Sequence, residues 1–260
     1  MDSETVLVTG ATGGLGEAFA EIYAGRGCTL VLTARSAERL SALREKLEKT
    51  YHVPVHVCPA DLSKAGAAEE VFRFVQEQGL SVDVLINNAG FGDAGCFAER
   101  PWQKQADMVQ VNITALMELT HCFLGPMLAK GSGKILNLSS VAAFSAGPEM
   151  SVYYASKAFV RSFSEAVAEE VKGSGVTVTA LCPGPTRTGF EKAAGMKEGS
   201  VMFRRARSAK EAAAAGVRAL DRGDALAYDG AFTKVMSVCA RLMPRTVTRK
   251  FARRMNRQDL

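Results

Sequence analysis

The chain has 260 residues, is 47% hydrophobic and carries a formal net charge of +5. This length can bury a full core and allows one large α/β domain or two small ones. Its six cysteines form no CxxC pair, which excludes a recognisable disulfide or zinc framework and favours reduced thiols. The acidic start shows no signal-peptide pattern, and no apolar run is long enough to cross a bilayer, so we expect a cytoplasmic protein.

The positive charge is concentrated near the C-terminus. Residues 241–257 contain six arginines, one lysine and no acidic residue. Without these seven charges the net charge of +5 becomes −2 for the rest of the chain. A slightly acidic body argues against binding to nucleic acid.

Strand and helix patterns alternate along the chain. Apolar strands are predicted at residues 5–9, 28–33, 54–58, 82–86, 134–138 and 176–182. Helices are predicted at 14–26, about 36–50, around 71–75, about 101–130, and from Tyr153 to about 171. Buried strands that alternate with amphipathic helices predict a Rossmann-type doubly wound parallel sheet in three α/β/α layers, within a single domain.

The C-terminal third is less regular. We expect residues 187–222 to form a mobile substrate lid with short helices, within a nucleotide-binding domain that covers residues 1–230. Residues 231–260 are predicted to form a basic amphipathic extension, with two helical patterns over 232–257 separated by Pro244. This extension can lie on an anionic membrane surface, cover a subunit interface or cap the substrate pocket.

A glycine-rich turn joins the first strand to the first helix. Gly10, Gly14 and Gly16 allow the sharp turn and close backbone approach that a bound pyrophosphate requires, and the helix N-terminus adds free N–H groups. The spacing departs from GxGxxG, and a plain tight turn is the alternative explanation.

Two arginines follow the second strand. In NAD-specific folds an acid in this region binds the ribose 2′-hydroxyl, whereas here Ala34 stands in its place and Arg35 and Arg39 follow. A guanidinium binds a 2′-phosphate bidentately, so the sequence predicts a preference for NADPH. The alternative is that Arg35 is an ordinary solvated residue.

A tyrosine and a lysine four residues apart predict a proton-transfer site. Tyr153 and Lys157 would lie on one face of a helix, although Tyr154 could also reach the lysine. A nearby ammonium lowers the pKa of a phenol toward the range useful for acid–base catalysis. Of the two serines that end the fifth strand, Ser139 and Ser140, only one can readily face this pair.

Together these motifs resemble the classical short-chain dehydrogenase/reductase family over residues 4–190, and within it the group of reductases called DltE-like. The resemblance selects Tyr153 as the general acid in reduction and Ser140 as the partner of the substrate oxygen. It implies that Lys157 lowers the pKa of Tyr153 and holds the nicotinamide ribose. It also implies that Asn112 holds a water in a proton relay, although a plain polar residue on a helix face is the alternative.

The same resemblance completes the predicted cofactor site. Asp61 would contact the adenine, with a helix N-cap as the alternative, Asn88 to Gly90 the adenosine side, and Thr188 the nicotinamide carboxamide. The full predicted set for NADP(H) is Gly10, Thr12, Gly13, Gly14, Leu15, Gly16, Arg35, Arg39, Asp61, Leu62, Asn88, Ala89, Gly90, Tyr153, Lys157, Pro183, Gly184 and Thr188. The three histidines lie near no motif, so no metal site is expected.

We therefore expect an NADPH-dependent reductase of a carbonyl compound, working as a homodimer or homotetramer. Apolar residues on the predicted pocket wall favour a hydrophobic ketone, aldehyde or 3-oxoacyl thioester; they are Phe91, Phe97, Phe144, Met150, Phe190, Met196, Met202 and Phe203. The alternative is an NADP-binding regulatory or scaffold protein with incidental activity, which would not need the complete set of proton-transfer groups.

Overall fold

The computed structural model describes residues 3–196 and 206–256. The strands are β1 (Thr5–Thr9), β2 (Thr29–Ala34), β3 (Val55–Pro59), β4 (Val84–Asn87), β5 (Gly133–Leu138), β6 (Val176–Cys182), β7 (Thr186–Arg187), β8 (Arg207–Ser208) and β9 (Leu226–Tyr228). The helices are α1 (Gly14–Ala24), α2 (Ala37–Tyr51), α3 (Ala67–Glu77), α4 (Trp102–Val109), α5 (Ala115–Lys130), α6 (Ser151–Glu170), α7 (Phe190–Ala193), α8 (Ala209–Arg222), α9 (Ala231–Leu242) and α10 (Arg245–Asn256). Two 3₁₀ turns (Phe97–Glu99 and Val141–Phe144) and one π-turn (Gln110–Thr114) complete the described elements.

Seven parallel strands form the central sheet in the order β3-β2-β1-β4-β5-β6-β9. The chain winds outward from β1 to β3, returns to the centre, and winds the other way from β4 to β9. The predicted doubly wound Rossmann-type fold is confirmed. Because the winding direction changes between β1 and β4, a crevice opens beyond their carboxyl ends, where ligands of such sheets bind.

Alternating side chains of the central strands enter two separate cores. Val6 and Val8 of β1 pack with α1 and α8 on one face of the sheet. Leu7 of the same strand packs with Leu85 and with α3 and α5 on the other face. Since successive side chains of a strand point to opposite faces, a strand covered on both sides must be apolar throughout.

The prediction of an irregular segment over residues 187–222 is wrong for its second half. Residues 209–222 form the regular helix α8, whose N-terminus has a capping box between Ser208 and Glu211. Gly216 lets this helix approach the sheet, since a methyl group there would lie 2.6 Å from Leu181 Cδ2. The buried face of α8 consists mostly of small residues, alanine and glycine, beside Val217 and Leu220, and the sequence analysis did not recognise it as an apolar side. Residues 197–205 lie outside the described residues.

The basic extension forms two helices, α9 and α10, that are interrupted around Pro244 as predicted. Helix α9 packs against β9 and the 3₁₀ turn Val141–Phe144. The domain boundary at residues 230 and 231 stays a prediction. Among residues 3–196 and 206–256, no helix combines the length and the hydrophobicity that crossing a bilayer requires.

Candidate active site

The glycine-rich turn lies in the crevice between β1 and β4. Gly10 has a φ of +63°, a left-handed conformation that glycine adopts without strain. A methyl group at Gly16 would lie 2.8 Å from the side-chain nitrogen of Asn88 and would also collide with the Gly10 carbonyl oxygen. Gly13 is the N-cap of α1 and provides no side-chain cap. The first N–H groups of α1 therefore face the crevice, as an anion site requires.

Thr9 and Asn88 tie the carboxyl ends of β1 and β4 together. The Thr9 hydroxyl oxygen accepts hydrogen bonds from the main-chain N–H groups of Asn88 at 3.0 Å and Ala89 at 2.9 Å. In return, the Asn88 side-chain amide donates to the carbonyl oxygens of Thr9 at 2.8 Å and Gly10 at 3.2 Å. These four bonds hold the ends of the two strands together.

Thr188, which directly follows the short strand β7, contacts the glycine turn. A methyl group at Gly14 would lie 3.0 Å from Thr188 Cα, so the two segments are in contact. Leu15 is buried in the core beneath the turn. Upstream, the Pro183 carbonyl oxygen accepts from Val141 N–H at 2.9 Å, and Gly184 packs against Thr233 of α9.

The predicted adenosine side lies at the ends of β2 and β3. Arg35 is exposed, and the guanidinium of Arg39 donates to the carbonyl oxygen of Thr12 in the glycine turn. Burial alone would raise the pKa of Asp61, but hydrogen bonds from Ser63 and the nearby charge of Arg35 lower it overall. The Leu62 side chain packs in the hydrophobic core, which leaves only its backbone available to a ligand.

Asn112 lies inside the π-turn between α4 and α5. Its side-chain oxygen accepts from Phe91 N–H at 3.0 Å, and its nitrogen donates to Phe91 O at 2.9 Å and to Ser156 Oγ at 3.0 Å. Asn112 thus joins the loop after β4 to helix α6. A methyl group at Gly90 would lie 3.0 Å from Asn112 Oδ1 and 3.3 Å from Lys157 Nζ, so Gly90 lies between the two side chains.

Tyr153, Ser140 and Lys157 meet at the carboxyl end of β5. Burial raises the pKa of Tyr153 to about 12, although a hydrogen bond with Ser140 acts in the opposite direction. Burial lowers the pKa of Lys157 from 10.5 to about 8. Lys157 Nζ donates to Leu138 O at 2.8 Å and lies 5.8 Å from the centre of the Tyr153 ring. Burial thus acts against the lowering of the Tyr153 pKa that the family resemblance implies, and that role of Lys157 stays a prediction.

The structure distinguishes Tyr153 from Tyr154 and Ser140 from Ser139, two pairs between which sequence spacing could not choose. The Tyr154 hydroxyl lies 3.2 Å from Asn256 Oδ1 of α10, and its ring packs tightly on Gly147. The Ser139 hydroxyl donates to the carbonyl oxygen of Lys157 at 2.8 Å. Both hydroxyl groups are therefore engaged in structural contacts, which leaves Tyr153 and Ser140 together.

An apolar cluster adjoins Tyr153. Its buried members Met150 and Met196 are joined by Phe190, whose ring centre lies 5.2 Å from that of Tyr153. Phe144, predicted for the same wall, instead packs with Cys182 and Tyr228 in a separate cluster. Phe97 is exposed, and Phe91 is half-buried beside Asn112. Met202 and Phe203 lie outside the described residues.

This arrangement matches a known family. The family model described as short chain dehydrogenase matches residues 4–199. This chain belongs to the short-chain dehydrogenase family. Membership in this family makes it an NAD(P)-dependent oxidoreductase of alcohol or carbonyl groups. The finer assignment to the DltE-like group stays a prediction.

Three members of the short-chain dehydrogenase family illustrate the similarity. The chain is 35% identical over 182 residues to the 7beta-hydroxysteroid dehydrogenase of Collinsella aerofaciens, which covers 70% of this chain and 68% of that protein. It is 38% identical over 192 residues to the serine 3-dehydrogenase of Agrobacterium fabrum, covering 72% and 74% respectively. A short-chain dehydrogenase from Sphingobium yanoikuyae, solved in complex with NADPH, has a TM-score of 0.82 and 32% identity, covering 91% of this chain and 92% of that one.

Sequence reasoning missed several residues that shape this short-chain dehydrogenase site. The buried carboxylate of Asp93 binds Arg100 at 2.6 and 2.7 Å, Lys104 at 2.6 Å and Gln105 at 2.8 Å, which anchors the loop after β4. The signal was an acid followed by two bases at helix-compatible spacing. Asn256 was also missed, because no local pattern shows that α10 reaches Tyr154.

The contribution of Thr9 can be tested with two matched substitutions. Thr9→Val keeps the shape of the side chain but leaves the buried N–H of Asn88 and the partly buried N–H of Ala89 without their acceptor. We expect it to lower the free energy of unfolding by roughly 2–4 kcal/mol in urea titrations. Thr9→Ser keeps the hydroxyl and should lose only about 1 kcal/mol with the methyl group. Equal losses in the two variants would show that the hydroxyl does not hold the strand ends together.

Proposed function

We propose that the protein is an NADPH-dependent reductase that converts a hydrophobic ketone, aldehyde or 3-oxoacyl thioester into an alcohol. The observation that carries this proposal is the meeting of Ser140, Tyr153 and Lys157 at the carboxyl end of β5, with Asn112 bonded to Ser156 of the helix that carries Tyr153 and Lys157. The direct test is NADPH oxidation against a panel of such carbonyl compounds. Absence of turnover across the panel would favour an NADP-binding regulatory or scaffold protein instead.

The residues of the crevice fit a dinucleotide. The turn around Gly10 and Gly16 leaves no room for side chains and presents the N-terminus of an 11-residue helix to a pyrophosphate. Arg35 directly follows β2 and Arg39 lies in the first turn of α2, where a 2′-phosphate would be bound. The relative from Sphingobium yanoikuyae, solved with NADPH, supports the same cofactor here. When bound, NADPH supplies the hydride.

The proton chemistry follows from the pKa values of the site. With a pKa of about 12, Tyr153 is protonated at neutral pH, which is the form that can donate to a carbonyl oxygen. The carbonyl carbon accepts the hydride and the oxygen accepts the phenolic proton, so C=O becomes CH–OH. Ser140 would hydrogen-bond the same oxygen and stabilise its developing negative charge.

We propose that Lys157 restores the proton of Tyr153. Its ammonium is buried; it would give a proton to the phenolate and take one in turn from a water bound at the π-turn that holds Asn112. A π-turn interrupts regular α-helical pairing, and such turns are frequent at functional sites. The Asn112 side chain is already engaged by Phe91 and Ser156, so a water in the relay would bind the main chain of this turn.

The apolar cluster supports a hydrophobic substrate. Met150, Phe190 and Met196 provide the surface next to Tyr153. Family membership alone does not distinguish a hydrophobic from a polar substrate, because the relatives named above are a steroid dehydrogenase and a serine dehydrogenase. The homodimer or homotetramer implied by the family stays a prediction.

Tyr153→Phe tests the proposed proton donor. We expect kcat to fall by roughly 10²- to 10⁴-fold, because the phenolic proton is lost. NADPH affinity, measured by fluorescence titration, should stay within about threefold, since the ring is retained. Tyr154→Phe is the matched control and should keep kcat within about tenfold. An equal loss of kcat in both variants would contradict the assignment of Tyr153.

Arg35→Ala tests the cofactor preference. We expect the Kd for NADPH to rise by about tenfold or more, because a charge-assisted bond to the 2′-phosphate is removed. The Kd for NADH, which lacks that phosphate, should not change. Arg44→Ala, in the helix α2 that follows and further from the end of β2, is the control. Equal weakening of both cofactors would rule out a role in recognising the phosphate.

The pKa of Lys157 gives cofactor binding a pH dependence. As the pH rises through about 8, Lys157 loses its charge, whereas Tyr153 and Cys182, with pKa values of about 12 and 11, stay protonated. NADPH affinity should therefore fall by roughly threefold to tenfold between pH 7 and pH 9. Lys157→Met should bind more weakly and show little change over this range. A fall as steep as that of the wild type would assign the effect to another group.

A further inference from the structure

The helices α9 and α10 turn their polar sides toward the protein and their apolar sides toward the solvent. Their sides that face the protein are small and polar: Thr233 and Ser237 on α9, and Thr248 and Asn256 on α10. The hydroxyl groups of Ser237 and Thr248 are satisfied within their own helices, by the carbonyl oxygens of residues 234 and 245. A helix of a soluble domain ordinarily turns its apolar side inward. Here the apolar side points away from the body.

We name the outward apolar residues of these helices the apolar ridge; they are Phe232, Val235, Val238, Leu242, Met243, Val247 and Phe251. Leu242 is 82% exposed, Phe232 63% and Val235 58%. Among the described residues, seven of the twelve exposed large hydrophobic side chains belong to this ridge, within 20 consecutive positions. Single exposed apolar residues are ordinary, whereas a concentrated patch marks a binding surface.

The surroundings of the ridge are strongly basic. Helix α10 contains Arg245, Arg249, Lys250, Arg253 and Arg254, and Arg241 lies at the end of α9, with no acid among residues 241–256. Arg253 approaches Glu149 at 3.9 Å and Arg241 lies over the Phe144 ring, but no ion pair engages Arg249, Lys250 or Arg254 among the described contacts. The surface therefore combines apolar area with unneutralised positive charge.

This combination distinguishes between the candidate occupants. A second copy of the chain placed symmetrically on the ridge would bring the same positive charge against itself, which is unfavourable. An anionic lipid surface matches both properties, because apolar side chains enter the headgroup boundary while arginine and lysine contact the phosphates. At 12 residues each, the helices are about 18 Å long, too short to cross a hydrocarbon core of about 30 Å.

We propose that the apolar ridge and the free cations of α10 bind the surface of an anionic bilayer, with both helices lying in the interface. The other side of α10 contacts the site, since Ala252 belongs to the apolar cluster beside Tyr153. A lipid-dissolved carbonyl compound would then be presented near the pocket wall, a step that rests on the proposed reductase function. Membrane binding itself does not depend on that function and is tested without activity.

The test is co-sedimentation of the full-length protein with vesicles. Vesicles of phosphatidylcholine with about one-third phosphatidylserine should sediment the protein, and this binding should weaken as salt is raised. Vesicles of phosphatidylcholine alone should bind it at least about tenfold more weakly. Equal binding to both, or none to either, would overturn the proposal.

Substitutions separate the two contributions. The double variant Phe232→Ser/Leu242→Ser should weaken vesicle binding at least about tenfold, because two apolar side chains no longer enter the interface. Arg249→Gln/Lys250→Gln/Arg254→Gln should remove the preference for anionic lipid. Trp102→Ser, at a 73% exposed residue of α4, is the matched control and should bind like the wild type. If the ridge variant binds vesicles normally but changes the oligomeric state in light scattering, the ridge is an interface between copies and the proposal is wrong.

A thiol probe gives a second measurement that does not depend on ridge substitutions. Cys239 of α9 and Cys96 are both exposed. A polarity-sensitive dye on Cys239, in a Cys96→Ser variant, should shift to the blue with anionic vesicles. The same dye on Cys96, in a Cys239→Ser variant, should not shift. A shift at Cys96 alone, or no shift at either position, would contradict the proposed orientation.

Discussion

The site depends on the mutual hydrogen bonding between Thr9 and Asn88. These residues end adjacent strands at the point where the sheet reverses its winding, and each satisfies main-chain groups of the other strand. The close approach leaves space only for glycine at Gly16, so the turn must expose its backbone. Exposed N–H groups at the start of a helix are what a phosphate requires. The proposed pyrophosphate site thus results from the way in which the ends of β1 and β4 are joined.

A second polar network continues this arrangement below the proton-transfer residues. Asn87 and Asn137 are partners across β4 and β5, and the Asn87 side chain donates to that of Asn137 at 2.9 Å. Asn137 in turn donates to Ser164 of α6 at 2.9 Å. All three side chains are buried, so the loss of the bond between Asn137 and Ser164, which joins α6 to the sheet, would be costly. Lys157 lies on the same helix as Ser164, so this bond also helps to position Lys157 over the sheet.

The sequence was sufficient for the fold and for the motifs at the strand ends, because buried parallel strands and glycine turns leave strong local patterns. It was insufficient where a pattern is weak or ambiguous. The apolar side of α8 consists mostly of alanine and glycine, and β9 is only three residues long. For α9 and α10, the periodicity showed that each helix has an apolar side. It could not show whether that side faces the protein or the solvent, because this depends on the packing of the rest of the fold. The pKa of Tyr153 depends on burial, which spacing cannot measure.

The π-turn at Gln110–Thr114 affects the orientation of both helices that it joins, α4 and α5. Each residue advances an α-helix by about 100°, so a turn of different pitch changes which side chains of α5 face the same way as those of α4. The residues before the turn face α6 and the site, whereas those after it pack on α3. The π-turn therefore rotates the α5 surface that packs on α3 relative to the α4 surface that packs on α6. An added or deleted residue in this turn would rotate α5 by about 100° relative to α4 and misalign one of the two surfaces.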